Sequence, residues 1–224
     1  MEITANVHLI PNIIANPYLI IDPDGLTLID SGLPGNQKKI LNYISNLGHA
    51  PSDLKRIIIT HADIDHTGSL SALKKACGAQ IYASKIEAEA MAQGRSSRQI
   101  QSGMILRKAL MGIMLHFMPP IVVQTDVILS EGQILPSLGG LRVMETPGHT
   151  PGHISLFSPS TGVLFTGDSI VTREGELVRS VKANTWDEAK ADESARKQAA
   201  LGAQVVCPGH GAVVKEAADK FPKF

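Results

Sequence analysis

Residues 61–66 read His-Ala-Asp-Ile-Asp-His, four potential metal ligands within one short stretch, directly after the apolar run Ile57-Ile58-Ile59-Thr60. A β-branched run of this kind predicts a strand buried on both faces, with His61 opening the loop at its C-terminal end. Three further segments carry the same chemistry: Thr146-Pro147-Gly148-His149-Thr150, Thr166-Gly167-Asp168 and Pro208-Gly209-His210-Gly211. Any one of them occurs by chance, and an isolated histidine is more often a satisfied core residue than a ligand. Their force lies in their order and placement, each at a loop behind an expected strand or turn. Together they offer donors for two divalent cations, the kind of site that generates hydroxide at neutral pH.

The elements around these segments repeat a theme. Tyr18-Leu19-Ile20-Ile21 and Leu26-Thr27-Leu28-Ile29 flank Asp22-Pro23-Asp24-Gly25, whose Asp-Gly end signals a hairpin, and Asp30-Ser31 follows it. A helix is expected from about residue 36 to 47, capped by Gly48, and another from about 69 to 77 before a strand at 80–83. In the second half, Ile154-Ser155-Leu156-Phe157 and Val163-Leu164-Phe165-Thr166 form a second hairpin that leads to Asp168-Ser169. Gln204-Val205-Val206-Cys207 is an expected strand whose loop presents His210. Each half thus holds a hairpin ending in Asp-Ser and a buried strand ending in a histidine loop, a pattern like an internal duplication. Two mixed sheets with helices outside them would bring the histidine loops to one shared edge.

Residues 84–120 do not fit the repeat. Glu87-Ala88-Glu89-Ala90-Met91 is helical in propensity, and a second helix is expected from about 98 to 117, ending at Pro119-Pro120. Five of the seven methionines lie between Met91 and Met118. Such a surface suits an adaptable lid over an apolar substrate. It equally suits a helix pair packed on the core or on a partner subunit, giving a homodimer through 84–120. The expected organisation is a single domain over 1–224 with this helical insert.

Composition excludes several classes of partner. The 21 basic and 21 acidic residues cancel, which argues against nucleic acid and against an anionic membrane surface. The N-terminal residues form no secretory signal, and no apolar stretch is long enough to span a bilayer. Cys77 and Cys207 suggest no disulfide framework, so a cytoplasmic location and a small-molecule substrate are expected. Cys207, three residues before His210, reads as a small buried strand residue.

The ordered set of motifs resembles the metallo-β-lactamase superfamily over about residues 7–83 and 121–215. That resemblance implies an α/β fold, an αβ/βα four-layer sandwich of two mixed β-sheets with external helices. It implies two divalent metal ions, zinc in the first instance. The first would be held by His61, Asp63 and His149, and the second by Asp65, His66 and His210. Asp168 would bridge both, and Asp30 would support the ligands through hydrogen bonds. Asp65 and Asp168 would be the catalytic carboxylates of a hydrolase that cleaves a carbonyl ester, lactone, thioester or amide with a metal-bound hydroxide. His153 is expected beside the site rather than in it. His8, His49 and His116 read as ordinary polar residues, and Arg95, Arg98 and Arg107 as a solvated helix face.

One position departs from the family pattern: Asp63 stands where a histidine is expected. A carboxylate can also bind zinc, and its harder oxygen shifts preference toward iron or manganese. As a ligand it removes one unit of positive charge from the site, which raises the pKa of bound water. The shorter side chain could instead fall short and leave only the second site filled. Val171 stands where acyl-homoserine lactonases of the superfamily carry tyrosine, and Thr172-Arg173-Glu174-Gly175 does not match the glyoxalase II segment. Two other classes stay open. One is a non-haem di-iron redox protein acting on oxygen or a sulfur compound, and the other is a catalytically poor binding module.

Overall fold

The computed structural model describes residues 1–98 and 121–221. Its frame is a pair of mixed sheets, as the repeat in the sequence and the family resemblance anticipate. The first has seven strands in the order β1 (Glu2–Thr4), β2 (Val7–Leu9), β3 (Tyr18–Asp22), β4 (Gly25–Ile29), β5 (Leu54–Ile58), β6 (Gln80–Ser84) and β7 (Val127–Leu129). The second runs β15 (Val214–Lys215), β14 (Val205–Pro208), β11 (Val163–Gly167), β10 (Ile154–Ser158), β9 (Leu141–Glu145) and β8 (Ile134–Leu135). A separate two-stranded ribbon pairs β12 (Ile170–Arg173) with β13 (Glu176–Arg179).

The side chains of the central strands alternate between two apolar layers, which makes a sandwich of the two sheets. Tyr18, Ile20, Ile29 and Ile58 of the first sheet meet Val143, Leu156, Phe165 and Cys207 of the second in the layer between them. Leu19, Leu28, Ile57 and Ile59 point the other way, toward α1 (Gln37–Asn46), α3 (Leu70–Cys77) and α4 (Lys85–Ala92). On the far side of the second sheet, Met144, Phe157, Leu164 and Val206 pack on Ala195 of α5 (Glu188–Ala199). Cys207 is the buried strand residue the sequence suggests, with its thiol pushed above its ordinary range by burial.

The two hairpins and their partner strands share a topology. β3 and β4 are antiparallel around Pro23-Asp24, and β4 continues parallel to β5, which leads into the His61 loop. β10 and β11 are antiparallel, and β11 runs parallel to β14, which leads into the His210 loop. Both histidine loops therefore leave the C-terminal ends of parallel strands, where open α/β sheets place their ligands.

Several expectations shift. The strand before His61 begins at Leu54 and ends at Ile58, because Thr60 turns its hydroxyl and N–H to Asp30 instead of continuing the ladder. A one-turn helix, α2 (Ile64–Thr67), has no counterpart in the sequence reading. The helix expected over about 98–117, and with it His116 and Arg107, lies outside the described residues. Among the described residues no helix is long and apolar enough to cross a membrane.

Candidate metal centre

The seven residues proposed as ligands from the sequence converge. His61 opens the loop behind β5, Asp63 precedes α2, and Asp65 and His66 lie within α2. His149 lies in the turn between β9 and β10, Asp168 follows β11, and His210 follows β14. Three overlapping sets place their ligand atoms within 4.8 Å of one another: His61, Asp63 and His149; Asp65, His66 and His210; and His61, His66 and Asp168.

Asp63 Oδ2 is 3.3 Å from His149 Nε2 and 3.7 Å from His61 Nε2. In the second set, Asp65 Oδ2 is 3.2 Å from His210 Nε2 and 4.0 Å from His66 Nε2. Asp168 lies between them, with Oδ1 3.4 Å from His66 Nε2 and Oδ2 3.5 Å from His149 and 3.4 Å from His210. Asp63 is therefore long enough to join the first set.

The site nitrogens lack ordinary partners. His61 Nε2, His66 Nε2, His149 Nε2 and Asp168 Oδ1 are buried, and no protein group hydrogen-bonds to them among the described residues. Leaving such a group unsatisfied costs on the order of 1–3 kcal/mol each. A set of mutually facing orphan donors of this composition fits a divalent cation. Gly209 is shaped to the same end: a Cβ there would lie 2.4 Å from Asp168 Oδ1 and 2.9 Å from His66 Cε1. Only glycine leaves that space open.

Charge agrees with the geometry. Burial pushes the His61 imidazole well below its ordinary pKa, reinforced by His66 and His149, so it stays neutral. Burial works against ionisation of Asp168, yet the neighbouring His66, His149 and His210 hold its carboxyl far below the usual range. For Asp63, burial is outweighed by the adjacent His149 imidazole and the Arg98 charge, which hold its carboxyl at about 2.

An outer layer of hydrogen bonds fixes these side chains. Asp30 adopts a left-handed backbone (φ 59°) just after β4, a conformation aspartate tolerates better than most residues. Its Oδ2 accepts from His66 Nδ1 at 2.7 Å and from the Thr60 hydroxyl at 2.8 Å, and its Oδ1 accepts from the Thr60 N–H at 2.9 Å. His66 is thereby oriented with Nε2 toward the centre. His153 sits beside the site: Nε2 accepts the Asp168 N–H at 3.0 Å, and Nδ1 meets the Thr146 hydroxyl at 2.8 Å. Burial lowers its pKa to about 3, so it remains a neutral acceptor. The His210 loop is held by the other half of the chain, through Asn16 and Tyr18 donating to the Pro208 carbonyl at 2.9 and 2.8 Å.

Glu87 and Arg98 escape the sequence reading. Glu87, fully buried on α4, accepts from the Ala62 N–H (2.8 Å), the Ser97 hydroxyl (2.7 Å), the Thr150 hydroxyl (2.6 Å) and the Gly152 N–H (3.0 Å). It thus ties the His61 loop to the His149 loop. Ser84-x-x-Glu87 has the form of a capping box, a local reading that conceals the longer reach. Ser84 does cap the helix, accepting from the Glu87 N–H at 3.3 Å. Arg98, expected on a solvated face, instead donates Nη2 to Asp63 Oδ2 at 2.5 Å, while Ser96 donates to Oδ1 at 2.6 Å. A single arginine ahead of a long amphipathic stretch carries no signal of this. His8 and His49 lie elsewhere, beside Tyr43 and Asp53.

Known proteins place this arrangement in a family. The profile of the metallo-beta-lactamase superfamily matches residues 11–210, and the chain belongs to that superfamily. A probable metallo-hydrolase of Bacillus subtilis, YflN, is 30% identical over 94% of this chain and 85% of its own length. A hydroxyacylglutathione hydrolase of Cereibacter sphaeroides is 29% identical over 70% of this chain but only 48% of its own length. Among solved structures, TTHA1429, a metallo-beta-lactamase family protein from Thermus thermophilus, superposes with a TM-score of 0.73 at 23% identity, covering 98% of this chain and 78% of that one. TTHA1623 in a di-iron-bound form gives 0.71 at 24% identity, covering 96% and 98%. These structural likenesses confirm the four-layer αβ/βα fold.

Proposed function

We propose that the protein is a metal-dependent hydrolase that cleaves a carbonyl ester, lactone, thioester or amide of a small-molecule substrate. Two divalent cations would be held by His61, Asp63 and His149 and by Asp65, His66 and His210, with Asp168 shared between them. The observation that carries this reading is the cluster of buried, mutually facing and unpartnered ligand atoms. The relatives named as hydrolases support it.

Bound divalent metal supplies a nucleophile at neutral pH, lowering the pKa of coordinated water from about 15.7 to about 7, and polarises a carbonyl. The chain's own residues do the rest. Asp30 and His153 fix the orientation of His66 and of the Asp168 loop. Asp65 and His210 form the open side, with 28% and 32% of their side-chain surface exposed, so substrate approaches there. Asp65, ionised and only partly enclosed, takes up the proton released on attack and passes it to the departing atom.

The test is a panel of chromogenic esters, lactones, thioesters and β-lactams, run with zinc, manganese or iron. Metal-dependent turnover of at least one, abolished by a chelator, is expected. Complete absence of turnover from metal-loaded protein contradicts the hydrolase reading and favours a binding module. A second reading has its own support: the Asp63 carboxylate among the ligand atoms, and the di-iron form of TTHA1623, favour a di-iron redox protein. Metal content of protein purified without oxygen, with visible absorption recorded before and after exposure to oxygen, separates the two, since zinc gives none in either state.

A further inference from the structure

The aspartate that stands in place of histidine at position 63 does not stand alone. Asp63 accepts from Arg98 Nη2 at 2.5 Å and from the Ser96 hydroxyl at 2.6 Å, and the other terminal nitrogen of Arg98 donates to the Asn184 carbonyl. Both charged side chains are largely withdrawn from water, 12% and 19% exposed. A buried carboxylate needs such a partner, and a planar guanidinium is suited to the task. His61 Nε2 and His149 Nε2 nevertheless have no hydrogen-bond partner among the described residues. The guanidinium thus rests against the carboxylate without filling the gap between the imidazoles.

We propose that Asp63 and Arg98 act as one electroneutral unit in place of a neutral histidine, so that Arg98 sets the charge and the metal affinity of the His61–Asp63–His149 site. The inference rests on the metal-binding reading above. Replacing an imidazole by a carboxylate removes one unit of positive charge from the ligand set, and the guanidinium returns it. In a desolvated site that unit acts strongly on a dication only a few bonds away. Arg98 also competes directly for Asp63 Oδ2, the oxygen nearest both imidazoles. Both effects have the same sign: the arginine lowers affinity for the metal while preserving its power to polarise. A strap that merely tied the segment before residue 99 to Asn184 would have no such effect.

Zinc binding to metal-free, full-length protein, measured in competition with a chromogenic chelator, tests this directly. Arg98→Met should tighten one of the two equivalents by about 10- to 100-fold, the scale on which groups behind metal ligands act. Arg98→Gln, which keeps polar reach without charge, should do the same, and Arg98→Lys should stay within a few-fold of the wild type. Asp63→His alone should weaken that equivalent, because the arginine is then unbalanced. The double variant Asp63→His with Arg98→Met should return it to near the wild-type value. Unchanged or weaker zinc binding in both Arg98→Met and Arg98→Gln, with native circular dichroism, overturns the proposal. A wild-type chain that takes up no zinc, manganese or iron overturns the metal-binding reading and this inference with it.

Discussion

The two proposed ligand sets, with Asp168 between them, are built differently. His61 and His149 are closed off from solvent, whereas Asp65 and His210 keep about a third of their side-chain surface open. The inner set is braced from behind by charged and buried groups, with Glu87 under both loops and Arg98 and Ser96 on Asp63. The outer set is braced by Asp30 on His66 and by the Asn16 side-chain amide, which donates to the Pro208 and Gly211 carbonyls. Enclosure with heavy bracing suits a site that fixes a metal and polarises. A half-open set suits a site that meets substrate and moves a proton. The difference teaches that a pseudo-repeat in topology need not give equivalent halves in chemistry.

That contrast yields graded expectations. Asp168→Ala should strike both sets at once: metal content should fall and turnover drop by more than the roughly 100-fold that loss of an outer partner costs. Full metal content with full rate in that variant breaks the shared-aspartate assignment. Glu87→Gln should affect the inner set selectively. With the amide oxygen facing Ser97, Thr150 and Gly152, its NH2 meets the Ala62 N–H, donor against donor. One equivalent of metal should weaken by about 10- to 100-fold while the other is retained, which cobalt substitution followed by visible spectroscopy resolves. Equal loss at both sites would show Glu87 to be structural alone.

Gly209→Ala should do the converse, pressing on His66 and Asp168 at the outer set. Overpacking of this kind costs about 1–3 kcal/mol, read as a lower midpoint in denaturant with impaired metal uptake. The last expectation concerns pH dependence. His153 has a folded pKa of about 3, below its ordinary 6.5. A depressed pKa gives stability that is present above the unfolded value and lost as pH falls from 6.5 toward 3, because only the unfolded chain gains that proton. The stability of metal-free His153→Gln should decline less steeply over that window, by one proton's slope of about 1.36 kcal/mol per pH unit. An unchanged slope would remove His153 from its place as the neutral acceptor of the Asp168 N–H.

Much of this is legible in the sequence, for identifiable reasons. Apolar runs paired around turn residues in 18–29 and 154–166 and the β-branched run at 57–59 make the two sheets readable, and loop placement makes the ligand set readable. What stays hidden requires long-range register. α5 buries Ala191, Ser194, Ala195 and Gln198 rather than a row of large apolar residues, so its helical period gives little signal. α2 is a single turn, too short to have a period at all. The β12–β13 ribbon turns at Glu174-Gly175, where both residues have positive φ, within a segment read only for a missing family motif. Glu87 and Arg98 act across 25 and 35 residues of chain, and nothing local marks that reach.

A pair of cations held where the three histidine-bearing segments meet the Asp168 turn is the central claim. Elemental analysis of the protein as purified, without added metal and without oxygen, tests it most directly. Two equivalents of zinc, iron or manganese per chain are expected, reduced in Asp168→Ala. A folded wild-type chain with no transition metal above background, and none taken up on reconstitution, would contradict it.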